Sequence, residues 1–140
     1  MPSSKLLVDS SFLYTLFDGE DEKHEDAVSV ADVYGGQFVI PYVVLTEVAY
    51  LFNRNGGIPA VLRFLDRLVR MQPHFEVLLT TDFLRVRAIM ALYKDSKLDF
   101  VDCCIMALSE RLNITQVCTF DHRDFNIFRP QHVSHLEILP

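Results

Sequence analysis

The hydrophobic residues of this 140-residue chain fall into two kinds of segment that follow one another along the sequence. Short, nearly continuous apolar runs at residues 5–9, 37–40, 75–79, 115–119 and 136–139 are typical of buried strands. Between them, apolar residues recur at steps of three and four, which predicts helices over residues 10–17, 24–34, 43–54, 60–71, 80–93 and 101–112. This alternation predicts a three-layer α/β/α fold around a central, mainly parallel sheet of four to five strands.

The helix over residues 101–112 begins with two carboxylates, Asp99 and Asp102. Its apolar positions predict one buried stripe, formed by Val101, Cys104, Ile105, Leu108 and Leu112. Asp99 has the position of an N-cap, and Asp102 lies in the first turn, where the helix dipole favours negative charge. These acids could therefore serve the helix alone, or they could open onto a site that holds a cation.

A third acid lies within the apolar stripe of the helix over residues 43–54. Glu47 follows Val44 by three residues and precedes Leu51 by four, and no other charged residue occurs between Phe38 and Asn53. A carboxylate that faces the core requires a basic partner, a proton or a metal ion, because burying it alone is costly. A structural salt bridge and a metal site are both compatible with this position.

Two further acids follow directly after predicted strands, Asp9 after the first and Asp121 after residues 115–119. Ligands of parallel α/β sheets collect at the carboxyl ends of the strands, so both side chains should face one crevice. Glu47 and Asp102 lie near the starts of helices that begin at the same edge. Four converging carboxylates would repel one another without a counter-cation, and their oxygen atoms favour Mg²⁺ or Mn²⁺. Such an ion is suited to hydrolysis of a phosphodiester.

Composition narrows the class of protein. A net charge of -6 and a pI near 5.2 argue against an extended basic surface for nucleic acid, but not against contact through bound metal ions. Three cysteines without a paired spacing predict free thiols in a reducing compartment. No apolar run approaches the roughly 18 residues that span a bilayer, and no signal peptide is recognisable. We therefore expect one cytoplasmic domain over residues 1–140, without a membrane partner.

Other candidate residues have plainer interpretations. His132 and His135 lack a third ligand and are expected to be a surface pair, and His122 is expected to be a turn residue that could assist proton transfer. Arginines at helical spacing on the helix over residues 60–71 predict a solvated basic face, with RNA or partner contact as the alternative. They are Arg63, Arg67 and Arg70.

Taken together, the motifs resemble those of the PIN-domain ribonucleases, especially the VapC-like toxins of prokaryotic toxin–antitoxin pairs. The matching segments are Leu-Leu-Val-Asp9-Ser-Ser11, Thr46-Glu47, Asp-Phe-Val-Asp102 with the following Ile-Met-Ala-Leu, and Thr119-Phe-Asp121 with Asp124-Phe125. The resemblance implies that Asp9, Glu47, Asp102 and Asp121 hold one or two Mg²⁺ or Mn²⁺ ions, supported by Ser11 and Thr119. It also implies an RNA substrate, a homodimer and a small antitoxin that inserts into the active-site groove.

Two carboxylates lie three positions from a member of this quartet, Asp99 before Asp102 and Asp124 after Asp121. Either could be a ligand, a supporting base or a cap, and the cap is favoured for Asp99. Three alternative functions stay open at this point: a housekeeping RNA-processing nuclease of the PIN type, phosphoryl transfer through an aspartyl phosphate on Asp9, and a non-catalytic acidic interaction domain.

Overall fold

The computed structural model describes residues 3–140. Its strands are β1 (Ser3–Val8), β2 (Phe38–Pro41), β3 (His74–Glu76), β4 (Ile114–Cys118) and β5 (Glu137–Leu139). Its helices are α1 (Ser10–Phe17), α2 (His24–Tyr34), α3 (Tyr42–Met71), α4 (Thr80–Leu92), α5 (Phe100–Arg111) and α6 (His122–Ile127), with short 3₁₀ turns at Gly35–Gln37 and Lys94–Ser96. No helix in this part of the chain has the length and hydropathy needed to cross a membrane.

The five strands form one parallel sheet in the order β3-β2-β1-β4-β5. The central strand β1 pairs with β2 and β4, so that Leu7 lies between Val39 and Val117. The chain moves outward from β1 to β3 and then crosses back to β4 and β5. Right-handed crossovers in opposite directions place their helices on opposite faces of the sheet. The α/β prediction is confirmed, and the crevice of this topology lies between the carboxyl ends of β1 and β4.

Helix α5 is buried more completely than its sequence pattern predicts. Every side chain from residue 102 to residue 109 is buried, whereas the predicted stripe included the half-buried Val101 and Leu112. The reason is its neighbours, because α5 contacts α3, α4, α6 and β4. Small residues such as Cys103, Ala107 and Ser109 fill the sides of the helix away from the stripe. The first turn of α5, which carries Asp102, is therefore held by packing on several sides.

Three local details of the structure are not evident from the sequence pattern. Asp9, rather than Ser10 or Ser11, caps α1, since its side chain accepts the Ser10 N–H. Neither Thr80 nor Thr81 caps α4, where the Asp82 carboxylate accepts the N–H of the preceding Leu79. Leu65 is 46% exposed, whereas Ala60, Phe64 and Leu68 form the buried side of the second half of α3.

Residues 55–59, which separate two predicted helices, form only a kink within α3. Only Gly57 leaves helical geometry there, with φ 69° and ψ −168°. Side chains other than hydrogen are excluded from this backbone region, so glycine is required. Pro59 follows the kink as an early residue of the second helical segment, where a missing N–H costs little.

Substituting Gly57 by Ala is expected to lower the free energy of unfolding by about 1–3 kcal/mol, because the new Cβ forces the left-handed backbone to shift. Gly35→Ala is the matched control, since Gly35 has helical dihedral angles and open space around its Cα. The control should be neutral or stabilise the fold by up to about 1 kcal/mol. Urea unfolding of both variants measures the difference, and equal stabilities would refute the assignment of strain to Gly57.

Candidate functional site

Three carboxylates meet at the crevice between β1 and β4. Asp102, Asp121 and Asp124 each place one carboxylate oxygen within 4.8 Å of the other two. Asp102 comes from the first turn of α5, Asp121 follows β4, and Asp124 lies in the first turn of α6. Asp102 and Asp124 are buried, whereas Asp121 is exposed and opens the group to solvent. We call these three residues the acidic cluster.

Asp9 lies beside the acidic cluster and is held by hydroxyl groups. Its Oδ2 accepts hydrogen bonds from Thr119 Oγ1 at 2.7 Å and from Ser11 Oγ at 3.3 Å. Thr119 Oγ1 also accepts the N–H of Asp121 at 2.9 Å, and Ser11 Oγ accepts the N–H of Phe120 at 3.0 Å. Through these bonds the two hydroxyls tie the end of β1 to the end of β4 and fix Asp9 relative to Asp121.

The pKa of Asp102 is raised to about 10. Burial is the main cause, followed by the negative charge of Asp9 and the contact with Asp124. The pKa of Asp9 is also raised, again chiefly by burial, although the hydrogen bonds from Thr119 and Ser10 oppose the rise. Without added positive charge, the site therefore retains protons that free carboxylic acids would lose near pH 4.

Glu47 does not face the core, contrary to the interpretation of its position in the apolar stripe. Its side chain is exposed, although Val44 and Val48 of the same turns are fully buried, so Glu47 lies at the border of the apolar stripe rather than within it. Partial burial and the charges of Asp99 and Asp9 raise its pKa. No lysine or arginine among residues 3–140 forms a salt bridge with it, so a structural ion pair does not explain this residue.

Asp99 is an N-cap, as favoured from the sequence. Its Oδ2 accepts the N–H groups of Val101 at 3.1 Å and Asp102 at 3.4 Å. Its own N–H donates to Asp124 Oδ2 at 3.1 Å, so the cap of α5 is attached to α6. The other oxygen of Asp124 pairs with Arg123 at 2.7 Å. Sequence reasoning left Asp124 as one of several possibilities, and it did not identify Arg123.

A model of the PIN domain family matches residues 6–129, a range that contains every acidic side chain described above. The chain belongs to the PIN domain family. The resemblance inferred from the sequence motifs is thereby confirmed. No curated protein sequence matches this PIN domain closely enough to count as a relative.

Solved structures share the fold of this PIN domain. VapC20 of Mycobacterium tuberculosis, described as a Sarcin-Ricin loop cleaving toxin, aligns with a TM-score of 0.81 at 18% identity over 97% of this chain and 100% of that chain. DNA-bound VapBC from Salmonella typhimurium aligns with a TM-score of 0.69 at 14% identity, over 99% and 97% of the two chains. A toxin-antitoxin complex from Klebsiella pneumoniae gives 0.64 at 19% identity, over 86% and 90%.

The donor set of the PIN domain fits a hard divalent cation. The atoms that converge are carboxylate oxygens, which suit Mg²⁺ or Mn²⁺, and no group of three or more imidazole or thiol ligands occurs among residues 3–140. The raised pKa of Asp102 indicates that the site has too little positive charge to balance its carboxylates when no ion is bound. A divalent cation would supply that charge, and Asp102, Asp121 and Asp124 could hold it directly with Asp9 alongside.

The remaining sequence candidates lie outside this site or serve packing. His132 Nε2 bonds to the carbonyl oxygen of Ile114 at 2.7 Å, while His135 Nδ1 bonds to Ser134, so the two imidazoles share no ligand. Cys103 follows Asp102 but is fully buried, and burial raises the pKa of its thiol to about 12. The thiol therefore stays protonated at neutral pH and acts as a core residue.

Replacing Thr119 by Val is expected to weaken Mn²⁺ binding by about 10–100-fold, the usual cost of losing a group that orients ligands. The substitution removes the hydroxyl that donates to Asp9 and leaves the Asp121 N–H without its acceptor. Thr119→Ser retains the hydroxyl and is the control. Isothermal titration calorimetry with Mn²⁺ compares them, and equal affinities in the Val and Ser variants would show that the hydroxyl does not organise the site.

Proposed function

We propose that this PIN domain is an endoribonuclease dependent on Mg²⁺ or Mn²⁺ and the toxin of a toxin–antitoxin pair. The observation that carries the proposal is the meeting of two buried carboxylates, Asp102 and Asp124, with the exposed Asp121 near the carboxyl ends of β1 and β4. Family membership and the fold shared with VapC20 support it. A bound divalent cation would activate a water molecule and stabilise the charge that develops on the phosphate.

We assign a role to each acid of the site from its burial and its contacts. Asp102, Asp121 and Asp124 would hold the ion, and Asp9, fixed by Thr119, would complete the oxygen-rich wall. We retain Glu47 in the proposed catalytic group because partial burial and the charges of Asp99 and Asp9 raise the pKa of its carboxylate, which places it beside the other acids.

Cleavage of single-stranded RNA by the purified protein tests the proposal. We expect cleavage with Mg²⁺ or Mn²⁺, none in EDTA, and recovery when the ion is restored in excess. Asp9→Asn should also stop the reaction. Cleavage that persists in EDTA, or in both Asp9→Asn and Asp102→Asn, would overturn the metal-dependent mechanism. Calorimetry that detects no divalent-ion binding would instead favour a non-catalytic interaction domain.

The proposed partners are RNA, a second copy of the chain and a small antitoxin in the cytoplasm. Support for the antitoxin comes from two of the similar structures, which are described as a VapBC assembly and a toxin-antitoxin complex. A neighbouring reading frame that encodes a small DNA-binding protein, and inhibition of cleavage by that protein, would distinguish a toxin from a housekeeping RNA-processing nuclease. Light scattering measures the oligomeric state.

An aspartyl phosphate on Asp9 is disfavoured by its contacts. Oδ1 accepts the Ser10 N–H at 2.7 Å, and Oδ2 accepts two hydroxyl hydrogen bonds. Phosphorylation of either oxygen would break these bonds, and no lysine among residues 3–140 forms a salt bridge with the acids of the site. Trapping with beryllofluoride should therefore give no complex.

A further inference from the structure

Arg123 provides a positive charge at the edge of the acidic cluster. Its Nη1 pairs with Asp124 Oδ1 at 2.7 Å, and its Nη2 donates to the carbonyl oxygen of Ser96 at 2.5 Å. Among the ion pairs formed by residues 3–140, this is the one that includes a member of the cluster. The guanidinium therefore bridges the start of α6 and the 3₁₀ turn before α5.

Fold stabilisation alone is a weak explanation for this pair. The Arg123 side chain is 59% exposed, and ion pairs that open to water contribute little to stability. Arg111 shows the contrast: its guanidinium is 28% exposed and bonds to Asp82, Glu76 and the carbonyl oxygen of Val77. Arg123 uses only two of its five N–H donors in hydrogen bonds with the described residues, so the other donors face solvent.

A tethered guanidinium with free donors is suited to a phosphate oxygen. Asp124 and the Ser96 carbonyl hold it in place, so less side-chain freedom is lost on binding. A chain with a net charge of -6 also needs local cations where a nucleic-acid backbone approaches. We propose that Arg123 binds a non-bridging oxygen of the RNA backbone next to the cleaved bond, an inference that rests on the ribonuclease function proposed above.

Binding to a fluorescein-labelled, single-stranded oligoribonucleotide measures the contact directly. Fluorescence anisotropy is recorded at several KCl concentrations in EDTA, with Asp102→Asn as the common background so that the probe stays intact. Adding Arg123→Gln should weaken binding about tenfold. It should also reduce the slope of log Kd against log salt concentration by about 0.7, the value for one phosphate contact on a single strand.

Two further variants separate charge from geometry. Arg129→Gln is the matched control, because Arg129 is also exposed and, among residues 3–140, its guanidinium bonds only to the backbone carbonyls of Asn126 and Phe128, at the other end of α6. It should leave both affinity and salt slope unchanged. Arg123→Lys keeps the charge but cannot bridge Asp124 and Ser96 in the same way. It should restore the salt slope with only part of the affinity.

Kinetics and metal binding in the otherwise unmodified protein complete the test. We expect Arg123→Gln to raise KM about tenfold while kcat and the Mn²⁺ affinity from calorimetry stay within about twofold. Weaker Mn²⁺ binding with lower kcat and unchanged KM would assign Arg123 to the positioning of Asp124 and overturn the proposal. So would unchanged RNA affinity and salt slope in a protein that cleaves RNA. If the unsubstituted protein neither binds nor cleaves RNA, the proposed function fails together with this inference.

Discussion

Asp102→Asn is expected to reduce RNA cleavage at least about 1,000-fold, because the loss of about 4 kcal/mol of charge stabilisation in the transition state has this effect. The same substitution should make the metal-free protein more stable at neutral pH, by about 1–3 kcal/mol. In the folded protein the pKa of Asp102 is about 10, so folding at pH 7 requires uptake of a proton that the unfolded chain does not hold. Asparagine has nearly the same shape and needs no proton.

Cleavage assays with Mg²⁺ and urea unfolding in EDTA measure the two effects on the same preparations. Asp66→Asn is the control, since Asp66 is exposed on the second half of α3, lies outside the acidic cluster and forms no ion pair with another of residues 3–140. It should change neither quantity. An Asp102→Asn protein that loses both activity and stability would show that the carboxylate serves the fold, as first-turn acids of helices often do.

The stability of the metal-free protein is expected to fall as the pH rises from about 5 to about 9, by up to about 1.4 kcal/mol per pH unit for one titrating group. Asp9, Glu47 and Asp102 all have raised pKa values in the folded state. Between their unfolded and folded pKa values, the folded protein binds more protons than the unfolded chain. Stability gained at low pH is therefore lost with increasing pH, until Asp102 ionises near pH 10.

Saturating Mg²⁺ should reverse this trend, because the ion binds the ionised carboxylates and displaces their protons. The apparent affinity for Mg²⁺ should consequently increase with pH over the same range. Thermal unfolding at fixed ionic strength, with EDTA or with Mg²⁺, measures both effects. In Asp102→Asn the decline in EDTA should be shallower. A metal-free protein whose stability rises between pH 5 and 9 would contradict the charge balance assigned to the site.

The sequence was most informative where a local pattern also determined the position in the fold. Asp9 and Asp121 follow strands of a parallel sheet, so their place at one edge could be predicted without knowledge of packing. Asp99 could be identified as a cap from its position before an apolar helix. In each case the position of the acid could be predicted from the end of the single strand or helix next to it.

Predictions failed where the decisive contact came from another part of the chain. Glu47 has the spacing of the apolar stripe of α3, but periodicity does not reveal that its side chain is exposed while Val44 and Val48 are buried. Asp124 belongs to a helix of only six residues, too short to show which face is buried. The fixed position of Arg123 depends on its hydrogen bond to the carbonyl oxygen of Ser96, a residue 27 positions earlier in the chain. The burial of α5 likewise depends on its contacts with α3, α4, α6 and β4, which no short segment of sequence contains together.

The hydrogen bond between Thr119 and Asp9 joins residues 110 positions apart. During synthesis, β1 and α1 emerge long before β4, so a nascent chain has Asp9 but not the hydroxyl that holds it or the partners Asp121 and Asp124. The acidic cluster can form only when β4 has paired with β1 and α6 has followed. Completion of the site is thus tied to completion of the sheet, so an unfinished chain does not carry the assembled site.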